Sequence, residues 1–357
     1  MCVCLIDQKT GQPIFSLQWH ITAKCDQKCK HCYMYESPFY KSERENELLL
    51  SDCKAIIDDF LDTVGHRKGG ICFTGGDPLL RNDFFDILEY TAGKNIFPLG
   101  IAGNSYHLDF ETALRLKKYG VIMYQISLDG LKETHDYFRK PGSFDDALRA
   151  YKVLKKAGIL SMCMFTLSRK NMNQLIDVIR LVAEIGLDGF DFDRIVPVGS
   201  AKDMKEEIID PFEYREFLLE VDNEYKKLRA KGCRTQFGYK DNLWGLVLDK
   251  ETLISTQNLV PEGYSLKRGC LIGKAGLCIL ADGSAMACRR LPVIVGKLPK
   301  QRIREIFYES PVLNELKRND RLSKCSSCSN LENCRGCRAV AYAFFGDYFG
   351  EDPGCWL

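Results

Sequence analysis

The chain contains no run of about 18 apolar residues, so nothing in it reads as a membrane-spanning helix. Neither charge is in excess. Fifty Lys and Arg against 48 Asp and Glu leave a net charge of +2, too little to hold a polyanion, and nucleic acid is therefore not expected as a partner. The opening MCVCLIDQKTGQPIF lacks the basic stretch followed by a long apolar stretch of an export signal. What the chain does have is cysteine: 17 in 357 residues. A disulfide scaffold is usually a much smaller secreted domain. Reduced thiols that hold metal, in a cytoplasmic protein, fit these counts better. The length allows a large core and is expected to form two domains.

The first two hundred residues alternate apolar strands with amphipathic helices. Strands are expected near 15–21, 70–73, 98–102, 122–128, 160–167 and 189–196, with helices near 52–64, 83–91, 110–118, 144–157 and 172–185. Ser51 and Asn171 suit helix starts, and Gly120, Gly158 and Gly186 suit helix stops. Repeated strand–helix units predict a parallel sheet covered by helices, and ligands collect at the C-terminal strand ends of such sheets. Six units are too few for an eight-stranded barrel. The segment from 201 to 267 reads mainly as helix and connecting loops.

Cys25, Cys29 and Cys32 form C-x3-C-x2-C just after the first strand. Three thiolates at this spacing can hold three irons of a [4Fe–4S] cluster and leave the fourth open. A zinc site is the alternative, with His20 or His31 as fourth ligand. At later strand ends stand Gly75-Gly76-Asp77-Pro78, then Asn104-Ser105, then Ser127-Leu128-Asp129-Gly130. HDYFRKPGSF follows with Arg139, and Arg169 comes after the fifth strand. The sixth strand, FDFDRIVPVG, alternates Asp191 and Asp193 with phenylalanines, which puts both acids on one face.

This order of motifs resembles the radical S-adenosylmethionine (SAM) superfamily. The resemblance implies a partial (β/α)6 barrel in which Cys25, Cys29 and Cys32 hold a cluster whose open iron chelates SAM. Gly75, Gly76 and Asp77 match the family's G-G-E-P element, which binds the SAM amino group through its backbone; the Asp in place of Glu puts that side chain's role in doubt. Asn104, Ser127, Asp129, Arg139, Arg169 and Arg194 match positions expected to bind the cofactor. Arg194, Pro197 and Gly199 also match an R-x-x-P-x-G element of peptide-modifying members. Asp191 and Asp193 are candidates for substrate contact or proton transfer, with structural ion pairing as the alternative.

A second set of cysteines follows. Cys270 precedes Gly283-x4-Cys288, and then come Cys325-x2-Cys328-x5-Cys334-x2-Cys337 and Cys355. The set resembles the SPASM domain, with one residue fewer between Cys334 and Cys337 than is usual. The resemblance implies two auxiliary [4Fe–4S] clusters, three in all. Cys325, Cys328, Cys334 and Cys355 would hold one; Cys270, Cys288 and Cys337 would hold the other. Cys278 is either its fourth ligand or a strand cysteine that leaves an iron open to a substrate thiolate. Zinc is again the alternative, although zinc ribbons expect a longer gap between CxxC pairs. Cys2, Cys4, Cys53, Cys72, Cys163 and Cys233 lack cluster spacing and read as small buried hydrophobes, with Cys2 and Cys4 also open to reaction. The expected division is a barrel over 1–200, a helical linker over 201–267 and a SPASM domain over 268–357.

SPASM enzymes mostly modify peptides. The leading expectation is a maturase that takes a hydrogen atom from a ribosomally made, cysteine-rich peptide and forms a thioether. A flavodoxin or ferredoxin would donate electrons. With 24 residues before Cys25, leader recognition is expected to need another surface or a separate protein. A peptide epimerase, a carbon–carbon crosslinking enzyme and a sulfatase-maturase-like oxidase are the alternatives; Arg289 stands where the last tends to carry an aspartate base. A non-catalytic iron–sulfur or zinc regulator is the reading from a different class, and it leaves the barrel motifs without a purpose. Anaerobic reconstitution is expected to load about 12 iron atoms per chain with negligible zinc. About four irons plus zinc would remove the auxiliary clusters from this reading.

Overall fold

The computed structural model describes residues 4–9, 11–65, 69–94, 96, 98–248, 264–267 and 269–357. Strands β1 (Cys4–Asp7) and β2 (Gln12–Pro13) belong to a small antiparallel sheet. The main sheet begins with six parallel strands that pair in sequence order: β3 (Phe15–Thr22), β4 (Gly69–Gly75), β5 (Leu99–Ala102), β6 (Met123–Ser127), β7 (Leu160–Leu167) and β8 (Gly189–Arg194). Between them lie α1 (Tyr40–Glu45), α2 (Leu50–Val64), α3 (Phe84–Ala92), α4 (Phe110–Lys118), α5 (Lys132–Phe138), α6 (Ser143–Ala157) and α7 (Leu175–Ile185). This is the helix-covered parallel sheet expected from the alternating pattern, and the partial barrel that the family resemblance implies. The short helices α1 and α5 were not anticipated.

The ends of the helices follow backbone chemistry. Gly158 and Gly186 stop α6 and α7 in the left-handed conformation, where a side chain would be strained. Ser51 falls inside α2, and the Asp52 carboxylate instead accepts the Leu49 N–H at the helix start. Asn171 precedes a 3₁₀ turn, Met172–Gln174, before α7 begins. Its side chain ties that turn to the end of β6 by donating to the Asp129 carbonyl.

The sheet does not end with the sixth strand. After α8 (Pro211–Ala230), β9 (Gln236–Phe237) adds in parallel to β8. β10 (Tyr264–Lys267) joins β1 in the small sheet. Then β11 (Gly276–Ile279) pairs in parallel with β3, and β12 (Ser284–Cys288) and β13 (Leu291–Lys297) follow antiparallel. Ten strands thus form one sheet, and both edges of the six-stranded core are covered by later parts of the chain. Covered edges cannot template pairing with another molecule. Helices α9 (Ile303–Glu309), α10 (Pro311–Leu316) and α11 (Arg338–Phe345) complete the C-terminal part. Residues 249–263, within the expected linker, and Cys2 lie outside the described residues. Cys53, Cys72 and Cys163 are buried and Cys233 is half-buried.

In β8 the phenylalanines and aspartates divide as their alternation predicts. Phe190 and Phe192 are fully buried in the apolar core; each burial stabilises by about 1.5–3 kcal/mol relative to exposure. At the end of β8 the Arg194 guanidinium bridges two carboxylates. Its Nε donates to Asp241 at 2.7 Å, and its Nη atoms donate to Asp352 at 3.0 and 2.9 Å. The arginine is 2% exposed. Asp352 also accepts the Cys337 N–H at 2.8 Å, so this arginine joins the barrel to the cysteine-rich segment. Arg194→Leu leaves two buried carboxylates unpaired and is expected to cost about 3–5 kcal/mol, read from anaerobic urea denaturation. Arg194→Lys should recover little of it, because one ammonium cannot reproduce the fork. A loss under about 1 kcal/mol in the leucine variant would contradict this role.

Candidate active site

The loop carrying Cys25, Cys29 and Cys32 lies across the C-terminal ends of the parallel strands. It is held by close backbone approach. Gly75 has φ of +125°, and a Cβ there would lie 2.2 Å from the Thr22 carbonyl oxygen. A Cβ on Gly76 would lie 2.0 Å from that of Lys24. The Gly76 and Asp77 N–H groups donate to these two carbonyls. From the other side, the Ser200 N–H donates to the Cys32 carbonyl at 2.9 Å. The two glycines are therefore required by packing of the cluster loop, whatever else their backbone binds.

The three thiols line one cavity with Gly75, Gly76, Asn104, Ser127, Arg139, Asp193 and Arg194. Asn104 Nδ2 lies 3.4 Å from Cys25 Sγ, and Arg139 Nη1 lies 3.8 Å from Cys29 Sγ. Asp129 does not line the cavity. It is buried beneath, where it accepts from Arg139 Nε at 2.5 Å and the Thr166 N–H at 2.8 Å, and lies 3.2 Å from His31 Nε2. Burial opposes its ionisation, but Arg139 and His31 outweigh burial and hold the carboxyl far below the usual range. Asp129 is thus a positioning residue for Arg139, and His31 is committed to it. Asp77 is also buried outside the cavity wall, with one oxygen accepting the Leu79 N–H; burial pushes its carboxyl up to about 6.

Two expected cofactor contacts are placed differently. Arg169 points to the surface, 47% exposed, and donates to Glu213 at 2.8 Å. A place in a motif did not determine its direction, and a glutamate across the surface did. Arg194 reaches the cavity wall, but its guanidinium is taken by Asp241 and Asp352.

A second cavity adjoins the first and is lined by Cys270, Cys278, Cys288 and Cys337. The two share Ala102, Gln125, Asp193, Arg289 and Arg290 as a common wall. Cys325, Cys328, Cys334 and Cys355 line neither cavity; burial raises the Cys325, Cys334 and Cys355 thiols, and a neighbouring Cys328 or Cys355 adds to each. The eight C-terminal cysteines thus fall into two groups. Cys278 Sγ lies 3.8 Å from His20 Nε2, and His20 Nδ1 lies 3.5 Å from Glu43, which commits the second histidine. Among the described residues no three cysteine sulfurs lie within 4.8 Å of one another. A single zinc, with Zn–S of about 2.3 Å, would hold its sulfurs closer than that. The buried Cys29 and Cys337 thiols, pushed up to about 12 by burial with Arg139 and Arg290 opposing, have cations at hand for an anionic cluster.

The aspartates of β8 differ. Asp193 pairs with Arg290 at 2.8 Å in the shared wall; burial opposes its ionisation, and Arg290 overcomes this and lowers its pKa. Asp191 lines neither cavity. Its Oδ1 accepts the Phe192 and Lys240 N–H groups, and burial pushes it up to about 7, with Lys240 opposing and Asp193 adding. Lys240 lines the second cavity, its Nζ 3.6 Å from Met164 Sδ. Lys240 and Arg290 were missed in the sequence. No motif marks them, and β9 and β12 bring them to the site from distant segments. Because the folded Asp191 holds its proton more tightly than the unfolded chain does, stability should fall as pH rises from about 4 to about 7. Asp191→Asn should flatten that slope in anaerobic denaturation midpoints. An unchanged slope would place the titration elsewhere.

Among the described residues no helix is long and apolar enough to cross a membrane. Residues 19–182 match the radical SAM superfamily, and residues 270–338 match an iron-sulfur cluster-binding domain, SPASM. An AdoMet-dependent heme synthase of Methanosarcina barkeri is 31% identical over 348 residues, covering 95% of this chain and 95% of its own length. Mycofactocin maturase MftC of Mycolicibacterium smegmatis is 29% identical over 230 residues, covering 62% of this chain and 53% of the relative. Streptococcus suis SuiB, in a crystal structure bound to precursor peptide SuiA, shares the fold with a TM-score of 0.71 at 18% identity, covering 98% of this chain and 78% of that one. The chain belongs to the radical SAM enzymes that carry a C-terminal SPASM iron–sulfur domain.

Proposed function

We propose that the protein removes a hydrogen atom from a carbon of a ribosomally made, cysteine-containing peptide and leaves the peptide with a new internal bond. The observation that carries this reading is the wall shared by the two thiol-lined cavities. A peptide lying along Gln125, Asp193 and Arg290 has the Cys25, Cys29 and Cys32 site on one side and the Cys270, Cys288 and Cys337 site on the other. When bound, SAM and the clusters supply radical hydrogen abstraction and electron transfer. Cys25, Cys29 and Cys32 would hold the first of three [4Fe–4S] clusters. Cys270, Cys288 and Cys337 would hold the second, and Cys325, Cys328, Cys334 and Cys355 the third. Gly75, Gly76, Asn104, Ser127 and Arg139 would face SAM.

The chain's own residues orient and exclude. Asp129 fixes the Arg139 guanidinium beside Cys29. Arg290, fixed by Asp193, and Lys240 supply positive charge at the second cavity. Cys278, turned to His20, supports a three-thiol set for the second cluster, which leaves a place for a peptide thiol and favours a thioether. Similarity to a mycofactocin maturase and to the fold of a peptide-bound protein supports a peptide without choosing the bond. A second reading has its own observation. A near full-length relative is a heme synthase, and Arg289, Arg290 and Lys240 about the second cavity also suit the carboxylates of a porphyrin.

The test incubates the anaerobic holoenzyme with SAM, flavodoxin or ferredoxin as electron donor, and cysteine-rich peptides encoded beside its gene, with any adjacent leader-binding protein. Loss of about 2 Da with one thiol resistant to alkylation is expected. The same loss with every thiol still alkylated would make the bond carbon–carbon. Unchanged mass in ordinary water, with uptake of one deuterium at an α-carbon in heavy water, would mean epimerisation. Inert peptides, together with an altered mass of an added iron porphyrin that carries free carboxylates, would replace this proposal with the second reading.

A further inference from the structure

Beside the cluster loop, but outside both cavities, three loops bring metal-binding atoms together. Asp26 lies in the cluster loop, Asp77 follows β4 and His107 follows β5. We propose that Asp26, Asp77 and His107 bind one divalent cation that takes mixed oxygen and nitrogen ligands. The site is independent of the substrate reading above. One ligand atom from each residue lies within 4.8 Å of the other two. That is near enough for a single ion with ligand distances of about 2.0–2.2 Å after small side-chain adjustments. As the structure stands, Asp26 Oδ2 pairs with His107 Nε2 at 3.0 Å, and the ion would come between them.

The independent observation is the state of Asp77. This residue is 0% exposed; the Leu79 and Asn104 backbone N–H groups approach its carboxyl, yet its Oδ2 makes no hydrogen bond of normal geometry. A buried carboxylate oxygen without a partner is costly, and a bound cation offsets that cost. Two carboxylates balance a double positive charge. With an imidazole they suit Mn2+, Fe2+ or Zn2+ better than a soft monovalent copper ion.

The position would give the ion a consequence for the neighbouring thiol. Asn104 Nδ2 lies 3.4 Å from Asp26 Oδ1 and 3.4 Å from Cys25 Sγ. Fixing Asp26 therefore fixes the amide that faces Cys25. None of the three ligands lines the cavity expected to hold SAM, so the two ligands should bind without competition.

Mn2+ is the probe. Anaerobic holoenzyme with oxidised, EPR-silent clusters is titrated with MnCl2, and free Mn2+ is read from its EPR signal. One Mn2+ per chain is expected. Asp26→Asn and His107→Ala should each weaken it about tenfold or more. Both side chains are partly exposed, at 31% and 43%, so unchanged iron content serves as the check that folding is intact. Saturating SAM should leave Mn2+ bound. The proposal is overturned if wild type takes up no Mn2+, if the variants bind it as wild type does, or if SAM expels it, since the Asp77 oxygen would then belong to the SAM pocket.

Discussion

A single guanidinium, buried between Asp241 and Asp352, sets the relation between the barrel and the cysteine-rich segment. Arg194 ends the last strand of the six-stranded core, and its donors reach a turn after β9 and the C-terminal tail. Asp352 passes the constraint on, because the same carboxylate accepts the backbone N–H of Cys337. Three buried charges carry a large desolvation cost, which attraction offsets only when every donor and acceptor is matched. The arrangement therefore tolerates one register of tail against strand. Asp193, one residue earlier, holds Arg290 in the wall between the cavities. The end of β8 thus positions both the wall and the cysteine-rich segment beyond it.

The first thiols depend on a similar chain of causes. Asp129 holds Arg139, and Arg139 lies near Cys29. A cluster with thiolate ligands is anionic, and in a water-poor cavity it needs a fixed cation nearby. The carboxylate beneath the cavity supplies the orientation, while the guanidinium supplies the charge. His31 and the Thr166 N–H complete the shell of Asp129, so residues adjoining the cluster loop, β6 and β7 meet at one buried anion. The glycines act by shape. At Gly75 and Gly76, the carbonyls of Thr22, at the end of β3, and of Lys24, in the cluster loop, occupy the space a side chain would take.

Much of this was legible in the sequence because it rests on local periodicity. The alternation in FDFDR separated Phe190 and Phe192 from Asp191 and Asp193, and β8 keeps that division. The glycine stops after α6 and α7 were readable because only a residue without a Cβ takes that conformation freely. Side-chain direction was not readable. Arg169 follows a strand end as a cofactor contact should, yet Glu213, 44 positions later, draws it to the surface. Lys240 and Arg290 were hidden for a related reason. Their chemistry depends on pairings between strands far apart in sequence, β9 with β8 and β11 with β3, and no spacing rule encodes those.

The two aspartates of β8 show how little the residue type decides. They lie two apart on one strand and share a face. Asp193 meets Arg290 and is held on the ionised side. Asp191 meets backbone N–H groups, with Gly238 packed so closely that a Cβ there would lie 2.3 Å from its carboxylate. Burial then dominates and raises it to about 7. Lys240 is moved the other way, down to about 8, by burial and by Arg289. The wall between the cavities is therefore fixed by the Asp193–Arg290 ion pair, while Asp191 lies outside it and meets Lys240 through that residue's backbone N–H. Of the two acids, only Asp193 faces what enters either cavity.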